Sequence, residues 1–181
     1  MGTITAAFTP KLGEATTLRD KAGVPFVVRA YDPRFRDELQ RFYEEFEPKR
    51  AAQGLPPSHP ERIRDWLDDV LGKGINLIAL RHDELAGHAL VMPTSRDGIG
   101  EYAIFLREDL RGRGVGSEFG RVVVAAARAN DLRGLWLTVE PGKRAAIRTY
   151  EKAGFRFIPQ TVLSVEAEME IDFTDVEGKD E

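Results

Sequence analysis

Residues 101 to 116 read EYAIFLREDLRGRGVG. The alternation over Tyr102 to Leu106 predicts a strand. Beyond it Phe119, Val122, Val123 and Ala126 recur at the spacing of one helix face. Between the two lies a turn, Arg111-Gly112-Arg113-Gly114-Val115-Gly116, that opens the helix. A glycine-rich turn in that position leaves backbone N–H groups unpaired beside the positive end of the helix dipole, and such a place binds phosphate. The two arginines add positive charge to it.

Elements of both kinds surround this strand, turn and helix. Upstream, Pro25 to Ala30 (PFVVRA) predicts a short strand. Phe35, Leu39, Phe42, Tyr43 and Phe46 predict an amphipathic helix, and Ile63, Trp66, Leu67, Val70 and Leu71 a second, ended by Gly72 and Gly74. The Pro- and Gly-rich stretch Pro48 to Pro60 between them is a loop. Asn76 to Leu80 and Leu85 to Met92 form a hairpin turning near His82-Asp83-Glu84. Downstream come a buried strand (Leu135 to Val139), a helix carrying Ala146, Ile147, Tyr150 and Ala153 with Gly154 placed to end it, and a strand over Val165 to Ile171 with one wet face. The pattern predicts one α+β domain over residues 25–172, with an N-terminal tail (1–24) and an acidic C-terminal tail (173–181).

Composition narrows the function. With 181 residues one sizeable core is expected. Lys and Arg number 26 against 30 Asp and Glu, a net charge of −4, which argues against a general nucleic-acid binder. The absence of cysteine removes disulfides, thiolate metal sites and cysteine nucleophiles. No apolar run has the length of a membrane span and no signal pattern is present, so cytoplasmic residence is the expectation.

Three phosphate motifs compete for residues 111 to 116. A P-loop needs Lys and then Ser or Thr, but here Ser117-Glu118 follow Gly116. A dinucleotide fingerprint from Gly112 needs a third glycine at position 117, which is serine. The pattern Arg/Gln-x-x-Gly-x-Gly/Ala is met in full by Arg111, Gly114 and Gly116. At this point the chain resembles the GNAT superfamily of N-acetyltransferases. Further on, Lys143 to Phe155 (KRAAIRTYEKAGF) is similar to the second half of that family's acetyl-CoA site, with Ala-Ile-x-x-Tyr-x-x-x-Gly-Phe. The resemblance covers about residues 75 to 160 well, and residues 25 to 72 in element order alone. Lys143 departs from it, since the family often has Asn there.

The resemblance implies a GNAT fold, a mixed and mostly antiparallel sheet flanked by helices, with acetyl-CoA as co-substrate and no metal. It implies that the pantetheine pairs with strand backbone around Phe105, Leu106 and Arg107, and that the N–H near Phe105 or Leu106 polarises the thioester carbonyl. It implies that the diphosphate sits on Arg111, Gly112, Arg113, Gly114, Val115, Gly116 and Ser117, with Lys143 near the cofactor. Glu101 matches the catalytic Glu of a bacterial protein-lysine acetyltransferase branch and is the candidate general base. Glu140 is the reserve. Tyr150 is the candidate acid for the leaving thiolate. With no cysteine to carry an acetyl group, direct transfer to a primary amine in a ternary complex is expected, the acceptor being a protein lysine or a small-molecule amine. A module that only binds acyl-CoA is the alternative, and turnover separates the two.

Other features carry less. His59, His82 and His88 lack metal-ligand spacing, and only His88 is placed to face a cleft. Trp66 and Trp136 read as core, and Glu44, Glu45 and Glu47 as a solvated helix face. The Pro48 to Pro60 loop overhangs the acceptor pocket in this kind of fold, which gives Gln53 a place in substrate choice. Val165 to Ile171 is the candidate edge for a homodimer.

Overall fold

The computed structural model describes residues 15–174. Its strands are β1 (Thr16–Arg19), β2 (Pro25–Ala30), β3 (Ile75–Arg81), β4 (Glu84–Pro93), β5 (Ile99–Leu106), β6 (Gly134–Val139), β7 (Arg156–Phe157) and β8 (Ala167–Asp172). Its α-helices are α1 (Arg36–Glu45), α2 (Pro60–Leu71), α3 (Val115–Ala129) and α4 (Arg144–Ala153). These strands form one sheet in the order β1-β2-β3-β4-β5-β6-β8-β7. Only β5 and β6 run parallel.

Each face of the sheet has its own core. Ile75, Leu77 and Ala79 of β3 pack with Phe119 and Val123 of α3 on one side. Ile78 and Leu80 pack with Leu39 and Tyr43 of α1 and Ile63 and Leu67 of α2 on the other. All seven residues of β3 are buried, which is why INLIALR reads as a nearly continuous apolar run. Each fully buried Leu, Ile or Phe stabilises the fold by about 1.5–3 kcal/mol. Turn chemistry fixes the register: His82 and Asp83 hold φ of 52° and 64°, the left-handed pair of a type I′ hairpin turn. Pro60 opens α2 and Gly154, at φ 108°, closes α4.

The parallel pair matters most for the site. β5 meets β6 at three positions only, Ile99↔Gly134, Gly100↔Leu135 and Glu101↔Trp136. Beyond Glu101 the strands part, while β6 stays paired with β8 up to Val139↔Ala167. The stretch Tyr102 to Leu106 therefore has β4 on one side and an opening on the other.

Three sequence expectations need correction here. Thr16–Arg19, read as part of a loose tail, is a strand paired with β2, because the turn after it is tied down by Asp20. Val165 to Ile171 is not an open edge, since β8 lies between β6 and β7. Phe173 also belongs to the core, with the Arg128 guanidinium 4.2 Å from its ring centroid. Residues 1–14 of the expected N-terminal tail and 175–181 of the acidic tail lie outside the described residues. Among the described residues no helix is long and apolar enough to cross a membrane.

Candidate active site

The opening beside β5 leads into a cleft of about 460 Å³ lined by Ile104 and Leu106, the glycine turn and one face of α4. Helix α3 starts at Gly114, which holds φ 81° and supplies no side-chain cap. The first bonded amide is that of Glu118, which donates to Gly114 O at 3.2 Å. The N–H groups of Val115, Gly116 and Ser117 thus have no partner within the helix. Lys21, Arg111, Lys143, Arg148 and Lys152 line the cleft, and among the described residues no acidic one does. In a chain of net charge −4, five cations around an open helix N-terminus favour an anion in this cleft.

The backbone of β5 sorts the residues expected to hold pantetheine. Arg107 N–H donates to Ala86 O on β4 at 2.9 Å. By the two-residue alternation of an antiparallel ladder, Phe105 also turns its backbone groups to β4. Ile104 and Leu106 turn theirs to the opening, and Leu106 O there accepts from Arg111 Nε at 3.0 Å. Of Phe105, Leu106 and Arg107, only Leu106 presents its N–H to the cleft, and Ile104 joins it. Arg107 instead binds Asp109 (2.7 Å) and Glu84 (3.4 Å) through its side chain.

Gly112, Gly114, Gly116, Ser117, Arg111, Lys143 and Tyr150 line the cleft. Arg113 and Val115 do not: Val115 is fully buried, and Arg113 reaches Asp20 at 3.4 Å. Asp20 forms a buried ion pair with Arg81 at 2.9 Å. Burial alone would raise the Asp20 carboxyl. Hydrogen bonds from the Val24 and Ala22 amides, Arg81 and Arg113 outweigh it and hold the group at about 2. Sequence reading missed Lys21, Arg148 and Lys152. The last two follow from the helical period of α4, four residues apart on the face of Ala145 and Thr149. Lys21 has no such signal. It arrives because its N–H donates to Arg113 O at 2.9 Å.

The loop after α1 forms a strap over the cleft. Lys49 Nζ caps α1 by donating to the carbonyls of Tyr43 (3.1 Å), Glu44 (2.7 Å) and Phe46 (2.7 Å). Arg111 donates to Glu47 O at 2.8 Å while stacking on Phe46, and Lys143 donates to Ala51 O. At the end of the strap the Gln53 carboxamide lies between Glu101 and Thr138; oriented so that donor meets acceptor on both sides, it donates from Nε2 to Glu101 Oε1 (2.7 Å) and accepts at Oε1 from Thr138 N–H (3.1 Å).

Glu101 is half-buried on the sheet face of Ala103 and Phe105, and burial raises its carboxyl above the ordinary glutamate value. Tyr150, nearly buried on α4, packs edge-on to Tyr102 with centroids 6.0 Å apart. Burial pushes its phenol up to about 12, so it stays protonated at neutral pH. Tyr150 also lines a cavity of about 40 Å³ shared with Gln53 and Thr138, so acid and base candidates approach the gap from opposite faces of the sheet. Glu140 is exposed and paired with Lys143 at 3.2 Å.

His88 does not face the cleft. Fully buried, its Nε2–H donates to Asn76 Oδ1 (3.0 Å) and its Nδ1 accepts from Tyr43 OH (2.6 Å). Asn76 fixes that tautomer by using its Nδ2 to donate to Val70 O and Lys73 O, both at 2.9 Å. Burial lowers His88 from 6.5 to about 3, so the unfolded chain binds the extra proton between those values. Stability from this group is full above about pH 6.5 and falls below it by about 1.4 kcal/mol per pH unit. Urea unfolding at pH 7 and pH 5 is expected to show a loss of about 2 kcal/mol from His88, absent in His88→Gln. Trp136 is also not core: half-buried on the uncovered part of that face, it donates Nε1–H to Glu168 at 2.7 Å. Trp66 packs on Tyr43, and Glu44, Glu45 and Glu47 are exposed as expected.

Comparison with known proteins gives the family. No curated protein matches the chain in sequence. The GNAT domain of S. lividans PAT superposes with a TM-score of 0.71 at 19% identity, covering 87% of this chain and 96% of that one. Ribosomal-protein-S5-alanine acetyltransferase from Vibrio fischeri gives 0.70 at 12% identity over 88% and 97%. AAC(6')-Ib, solved with paromomycin and acetyl-CoA, gives 0.65 at 19% identity over 86% and 98%. These likenesses establish the fold, and the sequence model of the acetyltransferase (GNAT) family matches residues 34–155. The chain belongs to the GNAT family of acetyltransferases.

Proposed function

We propose that the protein moves the acetyl group of acetyl-CoA to a primary amine, by direct transfer in a ternary complex. The observation that carries the reading is the cleft, with five cations, an uncapped helix N-terminus and the unpaired side of β5 meeting in one opening. The N–H groups of Val115 to Ser117 hold the diphosphate, with Lys21, Arg148 and Lys152 around it. Ile104 and Leu106 offer the pantetheine the hydrogen-bonding edge that an added strand would use. One of their N–H groups steadies the oxyanion that forms at the thioester carbonyl.

Glu101 takes the proton from the attacking ammonium, because an alkylamine with a pKa near 10.4 is otherwise protonated at pH 7. Nitrogen bonds to the carbonyl carbon, the carbon–sulfur bond breaks, and Tyr150 protonates the departing thiolate. The acceptor is a protein lysine or a small amine. The ribosomal-protein-S5-alanine acetyltransferase and the aminoglycoside acetyltransferase AAC(6')-Ib show that this fold serves a protein acceptor in one case and a small-molecule acceptor in the other.

The chain has no cysteine, so a thiol reagent added to the reaction reads released CoA alone. Purified protein with acetyl-CoA and a panel of amines and lysine peptides is expected to release CoA with at least one acceptor. Acetyl-CoA binding with no release across the panel overturns the enzyme reading in favour of a binding module. Tyr150→Phe is expected to lower kcat about 10²-fold with acetyl-CoA affinity unchanged, as loss of a general acid does. An unchanged kcat removes Tyr150 from that role.

A further inference from the structure

We infer that Gln53 is a positioning residue for Glu101, holding its carboxylate across the gap where β5 and β6 part. The inference rests on the proposed role of Glu101 as base. Glu101↔Trp136 is the last pair joining the two strands. Thr138, two residues further along β6, has lost β5 as a neighbour and keeps β8 on its other side. The Gln53 carboxamide fills the vacated position, tying Thr138 N–H to Glu101 Oε1 with bonds of 3.1 and 2.7 Å. One side chain from a distant loop thus replaces the next rung of the ladder.

The backbone is held out of its way to do this. Gln53 adopts φ 54°, a left-handed conformation that a glutamine rarely takes. The flanking strap keeps it there: Ala52 and Leu55 exchange backbone bonds of 3.0 and 2.8 Å, and Lys143 holds the Ala51 carbonyl. Strain of this kind persists where surrounding contacts over-determine it.

The chemistry follows from one donor on one oxygen. Burial disfavours the charged carboxylate, and a hydrogen bond to its charged form opposes that effect. With Oε1 engaged by Gln53, Oε2 is the oxygen presented to an incoming ammonium. The charged side chains on the neighbouring elements have partners of their own. Glu140 pairs with Lys143 after β6, Glu168 of β8 accepts from Trp136, and Arg96 lies over the Trp136 ring at 5.5 Å. Glu166, ahead of β8, lines the small cavity with Gln53. None of these is a cause of the Glu101 shift, which is burial alone.

The test is a carbon-13 NMR titration of the Glu101 carboxyl in the ligand-free protein, with the signal assigned by its loss in Glu101→Gln. Gln53→Ala and Gln53→Met, the second keeping length but not the donor, are expected to raise the Glu101 midpoint by about one pH unit. The acid limb of kcat/KM should move by the same amount, and neither variant should lose further activity in a Glu101→Gln background. Unmoved midpoints overturn the inference whatever Glu101 does. So does a Gln53→Met variant that behaves as the unsubstituted protein, since packing is then sufficient. If the midpoints move but Glu101→Gln keeps full turnover, the base role falls, and with it the positioning role.

Discussion

Glu101→Gln is expected to lower kcat/KM for the amine about 10²- to 10⁴-fold near neutral pH, the span associated with a lost general base. Acetyl-CoA affinity should be unchanged, because Glu101 is not itself one of the residues that line the cleft. The sign of the pH effect follows from burial. A base works when deprotonated, so kcat/KM rises with pH as Glu101 loses its proton. Burial raises that proton's pKa, placing the acid limb above the ordinary glutamate value. In Glu101→Gln this limb should vanish. His88 cannot supply one in its place, being neutral down to about pH 3 and away from the cleft. Glu140→Gln is the matched control, with an exposed carboxylate already paired to Lys143, and should leave the limb where it is. A limb that survives Glu101→Gln and disappears in Glu140→Gln reassigns the base.

The largest effect on stability is expected from Gly74→Ala. Gly74 precedes β3 at φ 60°, and a Cβ there would sit 2.1 Å from the Val91 carbonyl oxygen and 2.7 Å from the Met92 methyl. The methyl can swing aside. The carbonyl cannot, because Val91 is paired with Ile75 at the start of the β3–β4 ladder. The left-handed conformation alone costs a non-glycine residue about 1–2 kcal/mol. Displacing the ladder should carry the total beyond the ~3 kcal/mol that bounds most point substitutions. Gly112→Ala separates the two contributions, since Gly112 holds φ 71° with nothing within 4 Å of its would-be Cβ. Denaturant unfolding of both variants reads the difference. Equal losses would mean that the Val91 contact is relieved at no cost.

Much of the architecture is written in local pattern. The two early helices, the hairpin at His82-Asp83, the strand into the glycine turn and the helix ended by Gly154 each declare themselves through period or turn chemistry. What escaped depends on partners far along the chain. The four residues of β1 have little pattern of their own and are held by β2 and by Asp20. Trp136 looks like a core residue in LWLTV, yet the helices stop short of that part of the sheet. In the site, Gly112, Gly114, Gly116 and Ser117 line the cleft, because local geometry makes that turn. Of the turn's two arginines, Arg111 lines the cleft while donating to two carbonyls and Arg113 turns away to Asp20, because long side chains go wherever an acceptor waits. That Gln53 would reach Glu101 had no signature at all, since two chain reversals and a strand gap bring them together.

The anchoring of the first hairpin bears on how the protein can be handled. Asp20 lies in the turn between β1 and β2, yet its carboxylate neutralises Arg81 at the end of β3 and touches Arg113 in the glycine turn. A chain trimmed to begin at Pro25, at the boundary that composition suggests, would leave the Arg81 guanidinium in the interior without its counter-ion. It would also remove the Lys21 bond to the Arg113 carbonyl and uncover the edge of β2. Such a truncated protein is expected to be poorly soluble and weak in cofactor binding, while trimming ahead of Thr16 leaves the described sheet and both anchors intact. The short hairpin is thus a clasp fastened from outside on the glycine turn.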